Sequence, residues 1–241
     1  MSRNRGITIL SLVFAILSIS WLLIPALSGS PVVDKTVGGV LDVFKKTGTV
    51  AETRGDESDP SEWSLRTCCD KLGIAYPPKD IFIIIDKSEK RLYLYSGDRP
   101  VKTYRASFGP DPVNDKEREG DGRTPEGEFY VCQKARHPEK AYLGSRWLRL
   151  SYPNKEDAER GLETHLIDGT SARAIKEAIG KRKIPPQGTP LGGGIGIHGG
   201  GFDRGGDMVV DWTAGCIALY DYDIEEFYDF VDIGTRVVVR R

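Results

Sequence analysis

The chain has 241 residues, 39% hydrophobic and 29% charged, which fits a soluble globular domain of medium size plus additional segments. Its 34 basic and 35 acidic side chains leave a net charge of −1. That balance, with no basic patch in the sequence, argues against nucleic-acid binding.

At the N-terminus, Arg3 and Arg5 precede an uncharged apolar run over residues 7–27. The run is long enough to cross a bilayer as a helix and longer than the usual core of a signal peptide. Basic residues on its N-terminal side place that end in the cytoplasm and the rest of the chain outside it. Residues 1–29 therefore read as a membrane anchor, with cleavage near Ala26 and Ser28 as the alternative that would release a secreted protein. Residues 30–78 read as a membrane-proximal region and linker. Within it, residues 47–61 are polar and aperiodic, and Ser61 is placed to cap a short helix through Leu72, with Glu62 and Trp63 in its first turn.

From Ile81 the pattern becomes that of strands. Residues 81–88, 91–98 and 101–109 form β-rich runs separated by turns, which predicts an antiparallel meander and not a βαβ unit. Residues 128–134 and 146–152 are further strand candidates. Residues 155–162 and 170–181 have helical patterns, 195–198 and 208–212 read as short strands, 223–231 as a helix capped by Asp223, and 236–241 as a closing strand. The fold expected is mainly β: an antiparallel, sandwich- or barrel-like catalytic domain over residues 79–241 with a few inserted helices, preceded by the membrane helix.

Within that domain, His198 and Cys216 have 17 residues between them and a glycine beside each. A thiol performs acyl transfer as the thiolate, and an imidazole within hydrogen-bond reach can take its proton. Gly-rich turns expose the sulfur and let a substrate carbonyl approach backbone N–H groups. On the two residues alone, a buried or disulfide-bonded Cys216 beside an unrelated turn histidine is an even alternative. Export invites disulfides, and joining Cys68 or Cys69 to Cys132 would leave Cys216 free, although spacing does not fix connectivity.

Other motifs fail. Residues 194–199 match G-x-G-x-x-G literally, but no helix follows, so the dinucleotide fingerprint is excluded. There is no C-x-x-C or H-x-x-x-H spacing for zinc. His137 and His165 read as solvated surface residues, and Asp203 and Arg204 as an ordinary charged pair in the loop between His198 and Cys216.

A strand ending Ile197-His198-Gly199, followed by Thr213-Ala214-Gly215-Cys216-Ile217-Ala218-Leu219, resembles the L,D-transpeptidase catalytic domain, the YkuD family. The opening at residues 83–98, Arg123-Thr124-Pro125-Glu126-Gly127, and the close at 234–239 resemble it too, in the same order. The resemblance implies Cys216 as nucleophile and His198 as its activating base. It implies that the Gly199 carbonyl orients the imidazole, that Thr213 supports the turn, and that Gly215 and Cys216 supply oxyanion-hole N–H groups. It implies peptidoglycan stem peptides as substrate, with release of D-alanine from a third-residue diamino acid through a thioester, at the cell envelope and without a metal or organic cofactor. Two positions depart from the family: Ala214 replaces a second histidine, and Ala218 replaces an Arg or Asn tied to donor recognition. The same site acting with water would be an amidase or carboxypeptidase. Residues 120–131 and 148–161 look like the branch that cleaves an envelope lipoprotein from peptidoglycan. A non-catalytic peptidoglycan-binding protein is the remaining alternative. Residues 163–190, just ahead of the catalytic stretch, are placed to form a lid.

Overall fold

The computed structural model describes residues 63–201 and 210–241, the side chains of residues 138–141 excepted. The membrane helix expected over residues 7–27 and the linker at 47–61 lie outside them. Among the described residues, no helix is long and apolar enough to cross a membrane.

Strands β1 (Ile81–Asp86), β2 (Arg91–Ser96) and β3 (Arg99–Arg105) form the expected antiparallel meander. Ile83, Ile84 and Ile85 in β1 are fully buried, so both faces of this strand are covered, as its unbroken apolar run requires. Gly97 turns β2 into β3 at φ 58°, a left-handed conformation glycine adopts without strain.

Strands β4 (Gly127–Ala141), β5 (Gly144–Leu150), β6 (Gly196–His198), β7 (Ile217–Ala218) and β8 (Arg236–Arg240) complete an eight-stranded sheet in the order β3-β2-β1-β8-β4-β5-β6-β7. The long β4 serves both halves: residues 127–130 pair with β8, and its later residues pair with β5. The sheet is mixed, which corrects the antiparallel expectation. β8 lies parallel to β1, and β7 parallel to β6. Parallel neighbours need a crossover between them. Almost the whole domain supplies the first, and the stretch of chain between His198 and Ile217 supplies the second. The two outer strands meet at one point, where Ser107, just beyond β3, exchanges two backbone hydrogen bonds of 2.9 Å with Ala218 of β7.

Residues 210–212 are not strand, and the rest of the strand expected at 208–212 falls outside the described residues. β7 was not foreseen, because two residues carry no periodicity. Among the described residues, four helices accompany the sheet: α1 (Leu65–Leu72), α2 (Lys155–Glu163), α3 (Gly169–Gly180) and α4 (Asp221–Tyr228). Helix α1 begins later than expected. Its cap is Ser64, whose hydroxyl accepts from the Thr67 N–H at 3.1 Å, and Gly73 at φ 63° ends it. In α4, Asp223 is an interior first-turn acid and not the cap, since the backbone of Tyr220 occupies that position.

The main core joins Leu65, Cys68 and Cys69 of α1 to the inner faces of β1–β5 and to Ile224 and Phe227 of α4. A smaller core of Ala158, Ile167, Ala172, Ile175 and Leu191 ties α2 to α3.

Candidate active site

The site is built on the ladder β5–β6–β7. Trp147 pairs with His198 across β5 and β6, while Ile197 and His198 pair in parallel with Ile217 and Ala218. Side chains alternate along a strand, and partners in a parallel pair share a face. Gly196 and His198 therefore look out on the same side as Ala218 and the residue two before it, Cys216. The nucleophile candidate and the base candidate lie diagonally across one ladder. Opposite Cys216 stands Gly196, where a Cβ would come 2.7 Å from the Leu148 carbonyl oxygen and the Trp147 ring. Its missing side chain leaves room for the Trp147 ring. The Gly196 N–H donates to the Cys216 sulfur, and the thiol points to the Gly194 carbonyl at 3.4 Å.

His198 is 1% exposed. Its Nδ1–H donates to the Gly199 carbonyl at 2.5 Å, which fixes the tautomer and leaves Nε2 as the basic nitrogen. The ring stacks on Trp147 (centroids 5.7 Å, 21°) and meets Trp212 edge to face (5.8 Å, 79°). Burial between two indoles pushes the imidazole pKa down to about 4, opposed by the Gly199 hydrogen bond and the Asp221 charge. Asp221, 7% exposed, holds this corner together: its Oδ1 accepts the Gly200 N–H at 3.1 Å and the Ser145 N–H at 3.3 Å. A Cβ on Gly199 would collide with that oxygen, so the position admits only glycine.

Thr213 organises the turn that carries Cys216. Its hydroxyl donates to the Cys216 carbonyl at 2.7 Å and accepts the Gly215 N–H at 3.1 Å. The two expected oxyanion donors therefore differ. The Gly215 N–H is already engaged, whereas no hydrogen bond among the described residues engages that of Cys216. Gly215 has φ 130°, and a Cβ there would lie 2.6 Å from the Arg123 carbonyl oxygen. The segment beginning at Arg123 thus backs the catalytic turn directly. Burial pushes the Cys216 thiol up to about 11, eased by the Gly196 hydrogen bond and by the charges of Lys116 and Arg149. A neutral thiol and a neutral imidazole on one face suit general-base activation, in which the imidazole takes the proton as the sulfur attacks.

Three contributors escaped the sequence reading. Trp147 and Asp221 reach His198 through strand register and through a helix start, neither of which spacing reveals. Gln187, at the end of the insertion before the site, accepts the Gly194 N–H at 2.7 Å and receives Arg149 at 2.8 Å, fixing the wall beside the thiol. His137 is half-buried in β4 and not in a loop, and His165 is exposed beyond α2. Asp203 and Arg204 lie outside the described residues.

All four cysteines are free. Cys68 and Cys69 sit in the main core, while Cys132 is the extra residue where the β4–β5 register shifts and belongs to no part of that core. The pairing entertained from sequence is therefore not formed. Among the described residues, no group of His, Cys, Asp and Glu side chains could hold a metal ion.

The family model for the L,D-transpeptidase catalytic domain (YkuD) matches residues 80–239. Among solved structures, the helical cell shape determining protein Pgp2 from Campylobacter jejuni is 24% identical over 73% of this chain and 55% of its own, with a TM-score of 0.45. Bd1075 of Bdellovibrio bacteriovorus is 17% identical over 69% of this chain and 49% of its own, at 0.44. An L,D-transpeptidase from Mycobacterium smegmatis is 14% identical over 67% and 59%, at 0.40. The chain thus spans between 49% and 59% of the length of these three. No curated protein matches it.

Proposed function

The chain belongs to the L,D-transpeptidase catalytic domain family, and from that membership we propose that it is a cysteine acyltransferase acting on peptidoglycan stem peptides at the cell envelope. The observation that carries this reading is the placement of His198 and Cys216 on one face of the β6–β7 ladder, with Nδ1 of the imidazole already committed to Gly199.

In the first step, Nε2 of His198 takes the thiol proton as Cys216 Sγ attacks the carbonyl of the third stem residue, a diamino acid. The Cys216 N–H is placed to donate to the developing oxyanion. A single donor of this kind commonly accounts for a factor of about 10² to 10³ in rate. Collapse of the tetrahedral intermediate breaks the amide bond, and the imidazolium returns its proton to the departing D-alanine amine. A thioester remains. In the second step His198 takes a proton from the acceptor, whose nitrogen attacks the thioester and releases Cys216. An amine from a second stem gives a cross-link between two diamino acids. Water gives a shortened stem instead. Neither step needs a metal or organic cofactor.

Two features bear on acceptor and donor. Ala214 is exposed beside the nucleophile and offers no polar side chain there. Ala218 is fully buried and held on both sides by backbone bonds, so it contributes no donor-binding group. Donor recognition then rests on backbone and on the Trp147–Trp212 corner.

Mass spectrometry of purified muropeptides incubated with the chain and with its Cys216→Ala variant tests the proposal. D-Alanine release with new dimers, both absent from the variant, is the expected result. Cleavage without dimers that still depends on Cys216, or release of a peptidoglycan-linked envelope lipoprotein, would replace transfer by hydrolysis. No Cys216-dependent product on either substrate would leave a binding protein.

A further inference from the structure

A cleft of about 840 Å³ opens between β3 and the start of α4, and neither Cys216 nor His198 lines it. Most of its charges are spent on each other. Lys102 Nζ pairs with Glu226 at 2.6 Å, and the Tyr104 hydroxyl also donates to Glu226 at 3.1 Å. Glu225 accepts from the Ser145 hydroxyl. Two remain. Asp223 is 7% exposed, lines the cleft, and makes no side-chain hydrogen bond or ion pair among the described residues. Arg105, on the wall formed by β3, is exposed and equally without a partner among the described residues.

A carboxyl so deeply set and left without a donor is costly unless something supplies one. Burial pushes its pKa up to about 7, with the Glu226 charge adding to the rise and Lys102 and Arg105 easing it, so an ammonium group placed against it would be favourable. Arg105 offers the complementary fork for a carboxylate. Tyr222, which also lines the cleft, stacks on Tyr220 (centroids 5.1 Å, 11°) and is 66% exposed, presenting an aromatic face at the rim.

We propose that this cleft is a second binding site, which takes the free α-amino-acid end of a diamino acid: Asp223 receives the ammonium, Arg105 the carboxylate, and the Tyr222 ring lies along the methylene chain. The assignment rests on the stem-peptide reading and deepens it: a stem held by this end, in a cleft that neither Cys216 nor His198 lines, is a neighbouring stem docked beside the site and not the acceptor, whose amine has to reach the thioester.

Calorimetry on the full chain carrying Cys216→Ala, which binds without turnover, provides the test. The probe is a stem tripeptide whose diamino acid ends in a free α-amino-acid group; the control is the same peptide with lysine, which keeps the amine and lacks the carboxylate. Asp223→Asn and Arg105→Gln are each expected to weaken probe binding at least tenfold, and the lysine peptide to bind at least tenfold more weakly than the probe. Asn is nearly the same shape as Asp, and Arg105 is exposed, so thermal melts of both variants should match the parent. Binding that ignores either substitution, or that is equal for the two peptides, overturns the proposal. The measurement is independent of chemistry: binding that follows Asp223 and Arg105 supports the site even where Cys216 forms no product, and D-alanine release would persist in a chain whose cleft binds nothing.

Discussion

The two ends of the sheet are made differently. The β1–β3 meander with β8 consists of strands five to seven residues long, with apolar side chains that close on each other. The β5–β6–β7 corner has strands of three and two residues at its end, several positions where only glycine fits, and a buried imidazole and carboxylate. One end supplies stability and the other spends it on placing polar groups that water would otherwise hold. The division predicts that damage at the two ends can be told apart.

The largest expected effect is at Cys216. Changing it to alanine should abolish turnover, a loss on the order of 10⁴-fold or more, as removal of a nucleophile generally does. Thermal unfolding should hardly move, because the thiol's hydrogen bond is a long one at 3.4 Å. Ile83→Ala at the other end should do the reverse. Removing a fully buried side chain from the main core is expected to cost about 2–5 kcal/mol in a denaturant melt, while kcat of the folded fraction stays unchanged. A large stability loss in the first variant, or a kcat loss in the second, would break the comparison.

Acidity sharpens it. His198 is neutral in the folded protein down to about pH 4, whereas an unfolded chain protonates it near the ordinary 6.5. The unfolded state therefore holds more protons between those values, so stability is full above 6.5 and is lost as pH falls through 4, by roughly 3 kcal/mol. Urea melts of the parent and of His198→Gln at pH 7 and pH 4.5 should show that loss only in the parent. The same values predict an activity profile without an ionisation in the neutral range, its limbs lying toward 4 for the imidazole and 11 for the thiol. Alkylation of Cys216 by iodoacetamide should be slow at pH 7 and speed up as pH climbs toward 11. Rapid alkylation at pH 6 would reveal a preformed thiolate.

The smallest effect is at Asp221. Asparagine keeps an oxygen to accept from Gly200 and Ser145 but removes the charge that favours the His198 imidazolium. A tenfold fall in kcat with KM unchanged is expected, about the equivalent of one unit in the imidazole pKa. NMR titration of His198 reads the same shift directly. If the role of Asp221 is purely to pin the loop, Asp221→Asn will match the parent.

The same contrast explains what could be read in advance. The meander strands declare themselves through apolar runs and turn residues, and the helices at 155–163 and 169–180 through caps and glycine stops. His198 and Cys216 are visible as candidates because glycines stand beside an imidazole and a thiol. Pairing across the chain is not visible: β8 beside β1, Trp147 opposite His198, and Arg123 behind Gly215 join residues between about 50 and 150 positions apart. Asp221 reads as one more acid at a helix start. Local patterns encode elements, but the partners of a two-residue strand are decided by everything that folds around it.

That strand has one more consequence. β7 is held by β6 on one side and by Ser107 on the other, so the seat of the nucleophile is assembled from segments that meet only where the sheet's outer strands join. A chain whose meander has formed but whose outer strands are still apart contains a cysteine and a histidine without the geometry that couples them. The arrangement that sets the two side chains on one face is in this sense a report that the outer strands have closed.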